Sequence, residues 1–167
     1  MLMRFFKSNL AFLFLYPLLF SLLFSCDKGR IYENNVKIDS SNWAATDSLV
    51  FTFEIPQGGE DAIYNLLYNV RYSIQYPYYN LYLKHSLCDS NGNVLNEQLM
   101  NMNLFDPKTG KPLGTGMGDV FDREILFLPN FKFPHTGKYT LKAKNYMRDK
   151  PLKGIETLGL RVEKVEK

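Results

Sequence analysis

The sequence predicts an all-β protein, an antiparallel two-sheet β-sandwich of about seven or eight strands. Three observations predict this fold class. Apolar and polar side chains alternate strictly from Leu66 to Tyr76, so one set lies on a buried sheet face and the other in water. Aromatic residues make up 15% of the chain, and Phe and Tyr favour half-buried, pleated surfaces. After the leader, turn residues separate the apolar segments and no helical period occurs.

Residues 1–25 are predicted to be a lipoprotein signal peptide. Arg4 and Lys7 precede an apolar run over residues 10–24. That run is shorter than the roughly 20 residues that cross a bilayer, and its pattern fits a secretory signal. Residues 23–26 (LFSC) resemble the bacterial lipobox, which implies cleavage before Cys26 and a diacylglyceryl group on its thiol. The alternatives are an ordinary signal with an incidental cysteine, or an uncleaved anchor.

The remaining chain is expected to hold a lipidated cysteine with a short tether at residues 26–30 and one domain at 31–167. The whole chain has a net charge of +3, and loss of the two leader cations leaves about +1, which argues against a nucleic-acid partner. With Cys26 lipidated, Cys88 has no disulfide partner and is interpreted as a small buried hydrophobe. A Cys26–Cys88 bridge is the alternative.

Alternation and turn residues place the elements along the domain. The predicted strands are residues 31–38 at a sheet edge, 49–55, 66–76, 81–88, 94–105, 120–128, 138–145 and 157–165. Segments 66–76 and 81–88 are interpreted as the central pair of a sheet, joined through a turn at Pro77 to Asn80. Asn91-Gly92 predicts a tight hairpin, because this dipeptide accepts positive φ angles. Trp43 is interpreted as a core residue in a loop, and residues 146–148 as one helical turn.

Candidate catalytic and ligand-binding groups are few. His85 and His135 are the two histidines, and neither lies near a cluster of carboxylates or cysteines in the sequence, so neither a zinc site nor a catalytic triad is predicted. The glycines of residues 114–118 lack the spacing of the dinucleotide fingerprint, and we interpret them as a bent loop that closely approaches another surface. Asp119, Asp122 and Glu124 follow it; calcium binding or plain solvation are the two interpretations.

Four tyrosines cluster between residues 76 and 82. Exposed tyrosines on a β-sandwich can stack on sugar rings or anchor a protein partner, and the alternative is core filling. Tyr76 is predicted to be buried. Because adjacent residues of a strand cannot both face inward, at least one of Tyr78 and Tyr79 is predicted to be exposed.

Several stretches together resemble one family. They are the lipobox leader, YPYYNLYL at residues 76–83, LGTGMGDVFDREILF at 113–127 and the segment from Phe133 to Lys164. These stretches are similar to the GldH gliding-motility lipoproteins of Bacteroidetes over nearly the whole mature chain. The resemblance implies an envelope lipoprotein that is required for gliding over surfaces, in a system intertwined with type IX protein secretion. It implies no known enzymatic activity and supplies no catalytic residue.

The leading interpretation is therefore a non-enzymatic, lipid-anchored component or assembly factor of the gliding machinery, facing the periplasm, with the inner or outer membrane left open. Its expected partners are the membrane, through the lipid, and other gliding or secretion proteins of the envelope. Besides the lipid on Cys26, no cofactor or metal is expected. The candidate contact residues are Tyr78, Tyr79, Tyr82, Gly116, Gly118, Asp119, Met147 and Arg148. A glycan-binding envelope lipoprotein is the alternative. A hydrolase or metalloenzyme would need His85 or His135 to meet carboxylates in a cleft.

Overall fold

The computed structural model describes residues 29–165, and two antiparallel sheets pack face to face in this part of the chain. The strands are β1 (Arg30–Lys37), β2 (Asn42–Trp43), β3 (Ser48–Ile55), β4 (Tyr64–Ser73), β5 (Asn80–Asp89), β6 (Val94–Asn103), β7 (Thr115–Met117), β8 (Val120–Phe131), β9 (Gly137–Asn145), β10 (Leu152–Lys153) and β11 (Ile155–Lys164). Eight of them have eight or more residues, so the predicted all-β sandwich is confirmed. The predicted signal peptide and Cys26 lie outside the described residues.

The strand order explains how the two layers form. One sheet has the order β1-β11-β4-β8-β7 and the other the order β3-β9-β5-β6, while β2 and β10 form a small separate ribbon. The edge position predicted for the first strand is confirmed, because β1 pairs only with β11 among the described strands. No helix in residues 29–165 is long and apolar enough to cross a membrane.

The core lies between the two sheets and is built from one alternating phase of each strand. On β4 the buried phase comprises Leu66, Tyr68, Val70 and Tyr72, as the alternation predicts. The prediction is wrong for two other residues: β4 ends at Ser73, so Ile74 is 42% exposed, and Leu67 of the opposite phase is buried. On β9 it comprises Tyr139, Leu141 and Ala143. Trp43 is 1% exposed, which confirms it as a core residue, and its Nε1 donates to the Asp47 carbonyl at 3.0 Å. Full burial of each large apolar side chain stabilises the fold by about 1.5–3 kcal/mol.

The predicted central pair is wrong. β4 pairs with β8 and β11 in one sheet, whereas β5 pairs with β6 and β9 in the other. The residues between them cross from one layer to the other, a separation of about 10 Å. Alternation shows which face of a strand is buried but not which strand lies beside it. Two consecutive strands therefore have the same sequence pattern whether they are hydrogen-bonded in one sheet or face each other across the core.

Two other local predictions have opposite outcomes. The hairpin at Asn91-Gly92 is confirmed: it joins β5 to β6, and Gly92 has a φ of 83°. The helical turn at residues 146–148 is wrong, because the backbone there is irregular and not helical. The Tyr146 N–H donates to the Tyr82 carbonyl at 2.8 Å, so the backbone bonding between β9 and β5 continues one residue past the end of β9.

The sandwich has two distinguishable ends. At one end, here called the Gly29 end, the Lys164 N–H donates to the Gly29 carbonyl at 2.7 Å, and Lys164 pairs with Tyr64 at the start of β4. β4 then runs ten residues, or about 30 Å, to the far end. There the Tyr72 hydroxyl donates across the core to the Leu104 carbonyl at 2.7 Å. The described chain therefore begins at one end of the sandwich, and Leu104 and the last residues of β4 lie at the other end.

Candidate functional site

A groove of about 540 Å³ lies at the far end of the four-stranded sheet, partly on its outer face, and we call it the tyrosine groove. Its lining residues are Tyr78, Tyr79, Asn80, Tyr82, Leu99, Tyr146, Met147 and Arg148. Five of the eight candidate contact residues lie in this lining, although they come from two stretches more than sixty positions apart in the sequence. The fold brings them together because β5 and β9 are neighbours in the sheet.

Backbone contacts fix the base of the groove. Tyr82 lies on the outward phase of β5, between the buried residues Leu81 and Leu83, and its side chain is 38% exposed. The Tyr82 N–H donates to the Met147 sulfur at 3.2 Å, and the Tyr82 carbonyl accepts from the Tyr146 N–H. The irregular segment after β9 is therefore attached directly to β5, which holds Met147 against the tyrosines.

The other tyrosines divide into buried and exposed side chains. Tyr76 is buried, as predicted, and its hydroxyl donates to the Asn80 carbonyl at 2.9 Å. Tyr79 is 49% exposed, which confirms that at least one of the adjacent pair faces solvent. Tyr78 is half-buried, with its ring edge-on to that of Tyr76 at 5.9 Å. A hydrogen bond to Asp149 raises the pKa of the Tyr78 phenol.

Sequence reasoning missed Leu99 and Tyr146 as groove residues, although both are large, apolar and exposed, at 48% and 61%. The signal for Tyr146 was present, because it continues the outward phase that Lys142 and Lys144 occupy on β9. Leu99 was ambiguous because the phase of its strand was not predicted. The structure pairs it with Lys84, an outward residue of β5.

Cationic side chains lie in or beside the groove, together with the carboxylates of Glu97 and Asp149. Lys84 and Lys144 are directly opposite each other on β5 and β9, and Arg148 lines the groove itself. Lys84 forms an ion pair with Glu97 at 2.7 Å, and the hydrogen bond that Lys84 donates to this carboxylate raises the pKa of Lys84. A smaller cavity of about 320 Å³ lies over this ion pair and shares Leu99 and Tyr146 with the groove. The two cavities therefore lie next to each other beside β6.

The glycine-loop candidates Gly116, Gly118 and Asp119 do not line the tyrosine groove. They lie in the β7–β8 hairpin, where Gly118 has a φ of 72°. A Cβ on Gly114 would lie 2.6 Å from the Asp122 carbonyl oxygen, so the close approach predicted for this loop is confirmed. Within residues 29–165, no group of three His, Cys, Asp or Glu side chains is placed to hold a metal ion.

The histidines lie apart from the groove. His85 is buried, its Nε2 is 2.8 Å from Asn96 Oδ1, and burial lowers the pKa of the imidazole. The Nε2 atom of His135 lies 3.8 Å from Oδ2 of Asp89. The Asp89 carboxylate accepts three hydrogen bonds from Asn91 and Asn93, and those from Asn93 lower its pKa. These contacts stabilise the β5–β6 turn.

The interpretation of Cys88 as a buried residue is wrong. Its side chain is only half-buried, and its sulfur is 3.6 Å from the Ser86 hydroxyl oxygen. The physical reason is the phase of β5: Leu81, Leu83 and Leu87 point inward, so the even-numbered residues point outward.

Comparison with known proteins gives a consistent family. The model of the GldH lipoprotein family matches residues 30–162. A gliding motility lipoprotein GldH homolog of Christiangramia forsetii is 32% identical over 161 residues, which cover 92% of this chain and 94% of that protein. The gliding motility lipoprotein GldH of Flavobacterium johnsoniae is 30% identical over 153 residues, covering 85% of this chain and 89% of that protein.

Among solved structures, the infectious bursal disease virus VP2 subviral particle is similar with a TM-score of 0.35 and 11% identity, over 79% of this chain and 30% of that one. That likeness is too weak to carry an argument. The family match spans the domain from β1 to β11, and the two relatives align with it nearly end to end. This chain belongs to the GldH lipoprotein family.

Proposed function

We propose that this protein is a non-enzymatic lipoprotein of the bacterial gliding-motility machinery, anchored in the cell envelope through Cys26 and linked to type IX secretion. The observation that carries the proposal is the family match over residues 30–162, together with two relatives named as gliding-motility lipoproteins. The lipobox-like LFSC at residues 23–26 supports the anchor. A half-open groove lined by tyrosines, Met147 and Arg148 suits binding.

The proposed anchor has a geometric consequence. Cys26 and Gly29 are three residues apart, so the chain between them spans at most about 10 Å. A lipid on Cys26 would hold the Gly29 end near the bilayer and leave the tyrosine groove, at the far end, roughly 30 Å further along the strands. We propose that the domain faces the periplasm in this orientation. Fractionation of the two membranes would assign the anchor to one of them.

The test is a clean in-frame deletion, complemented in trans, scored for colony spreading and for export of secreted proteins. We expect both to be lost in the deletion strain and restored by the intact gene. Normal spreading together with normal export would overturn the proposal. Normal spreading with defective export would limit the protein's role to secretion.

Glycan binding remains a second candidate because Tyr79 and Tyr82 are exposed in one groove. Stacking on sugar rings needs open ring faces. Tyr78 suits this less well, because it is half-buried and edge-on to Tyr76. Retention of the protein on an immobilised polysaccharide, lost in Tyr79→Ala and Tyr82→Ala, would favour this candidate.

A further inference from the structure

The outer edge of β6 lies beside the tyrosine groove. β6 is ten residues long, contains no proline and carries a single charged residue, Glu97. Among the strands of residues 29–165 it pairs only with β5. Natural proteins usually protect a sheet edge with charges, proline or short length, because an open edge can pair with another strand. β6 has none of these features, apart from Glu97 and a bulge near the turn that joins it to β5.

The other edges of the two sheets differ from β6. β7 has three residues. β1 carries Arg30, Glu33 and Lys37 along its eight residues. β3 has eight residues and, like β6, carries a single charged residue, Glu54. β6 is therefore the longest edge strand in the described part of the chain, with one charged residue in ten positions.

The groove and the edge are continuous through Leu99. This residue lies on β6, lines the tyrosine groove and is 48% exposed. A strand added beside β6 would point every second side chain toward the outer face. Those side chains would lie next to Leu99 at the opening of the groove. Backbone bonding along an edge, combined with a pocket for alternate side chains, is one of the recurring modes of peptide recognition.

The surrounding charge selects the kind of peptide. Lys84 and Lys144 are directly opposite each other, an arrangement that like charges make unfavourable, and Arg148 lies in the groove. Glu97 neutralises Lys84, and the Asp149 carboxylate lies beside Tyr78 of the groove. No carboxylate of the described residues forms an ion pair with Lys144 or Arg148. Carboxylates on an incoming segment would compensate this excess positive charge.

We propose that β6 and the tyrosine groove together bind an extended, acidic segment of a partner protein. The segment adds a strand to the four-stranded sheet, places an apolar or aromatic side chain in the groove and pairs its carboxylates with Lys144 and Arg148. This binding site is inferred from the edge of β6, the groove and the charges beside it, so it is independent of the proposed role in gliding.

The experiment uses the full mature chain, purified in detergent, against a displayed library of random peptides that match β6 in length, ten residues. We expect enriched peptides to be rich in Asp and Glu with at least one aromatic or large apolar residue. Binding of a synthetic enriched peptide is then measured with wild-type protein and variants. Amide hydrogen exchange of β6 is measured with and without the peptide, and we expect it to slow on binding.

Matched variants separate the site from general effects. Leu99→Glu adds a negative charge to the outer face beside the edge, and Lys144→Glu reverses a positive charge. Because both changes repel an acidic segment, we expect each to weaken binding about tenfold. The controls are Thr52→Glu on the outer face of β3 and Lys138→Glu at the other end of β9, and both should bind as wild type does. All four positions face outward in the sheet, and equal melting temperatures would show that the variants fold.

Any of four results would overturn the proposal. One is the absence of any peptide enriched above a protein-free selection. A second is binding that Leu99→Glu and Lys144→Glu leave unchanged. A third is binding with no slowing of amide exchange in β6. The last is a groove that retains alginate or laminarin in a Tyr82-dependent way while no peptide binds, which would assign the groove to glycans.

Discussion

Two tyrosines lie on the same face of β4, and replacing each with phenylalanine should change the free energy of unfolding in opposite directions. Tyr68 and Tyr72 are both fully buried. The Tyr68 ring stacks on Phe127 at 4.0 Å, but among residues 29–165 its hydroxyl has no hydrogen-bond partner. Burial raises the pKa of Tyr68 well above its usual value, so the group stays a neutral phenol. The Tyr72 hydroxyl, in contrast, donates to the Leu104 carbonyl at 2.7 Å and accepts from the Gly114 N–H at 3.0 Å.

The magnitudes follow from these contacts. A buried polar group without a partner costs about 1–3 kcal/mol in proteins, so Tyr68→Phe should raise the free energy of unfolding by about 1 kcal/mol. Tyr72→Phe removes two hydrogen bonds and leaves two backbone groups without them, so it should lower that free energy by about 2 kcal/mol. In a domain of this size, 1 kcal/mol shifts the melting temperature by roughly 3 °C.

The assay is urea unfolding of the mature chain followed by tryptophan fluorescence, since buried Trp43 is the only tryptophan. Equal slopes of unfolding free energy against urea concentration would show that the three proteins expose a similar surface area when they unfold. A Tyr68→Phe protein that is less stable than wild type by 1 kcal/mol or more would refute the reasoning. It would mean that the Tyr68 hydroxyl is bonded in solution.

Three further predictions concern a histidine, a glycine and the lipid. Burial lowers the pKa of His85, so the unfolded chain binds the proton more readily than the folded protein does. The free energy of unfolding should therefore be highest above about pH 6.5 and should decline as the pH falls to 5. In urea titrations at each pH, His85→Gln should make this decline less steep. An unchanged slope would contradict it. Gly116→Ala places a Cβ against the Val120 carbonyl and should lower unfolding free energy by about 1–3 kcal/mol, whereas Met117→Ala, at the exposed tip, should not. Cys26→Ala should leave an unlipidated, uncleaved precursor, seen as slower migration; continued labelling by a fatty-acid analogue would contradict this.

Local chemistry in the sequence was enough to predict most elements of the fold. Strict alternation identified the buried phase of β4, and Asn91-Gly92 identified the β5–β6 hairpin because a tight turn needs positive φ there. Pairing across the sandwich was not predictable in the same way. The placement of β4 and β5 in different sheets depends on how far residues 74–79 travel, which no short pattern encodes.

The candidate site was predictable in part. Tyr78, Tyr79 and Tyr82 stand close together in the sequence, so their cluster was visible, and their role in binding stays a prediction. The partial burial of Tyr78 by Tyr76 was not visible. The position of Leu99 in the groove depends on the register between separate strands, and so does the placement of Lys84 opposite Lys144. The pattern of a single strand does not contain that register.

The place of β11 between β1 and β4 has a consequence for biogenesis. β1 is the first described strand to be synthesised, and its sole pairing partner in residues 29–165 is β11, the last. Ribosomes deliver chains from the amino terminus, so β1 stays without a neighbour until nearly all of the domain has followed it. The five-stranded sheet cannot close on a partly delivered chain, and contacts between such distant segments form slowly. A protein that stops before Ile155 would leave both β1 and one side of β4 open to pairing with other chains.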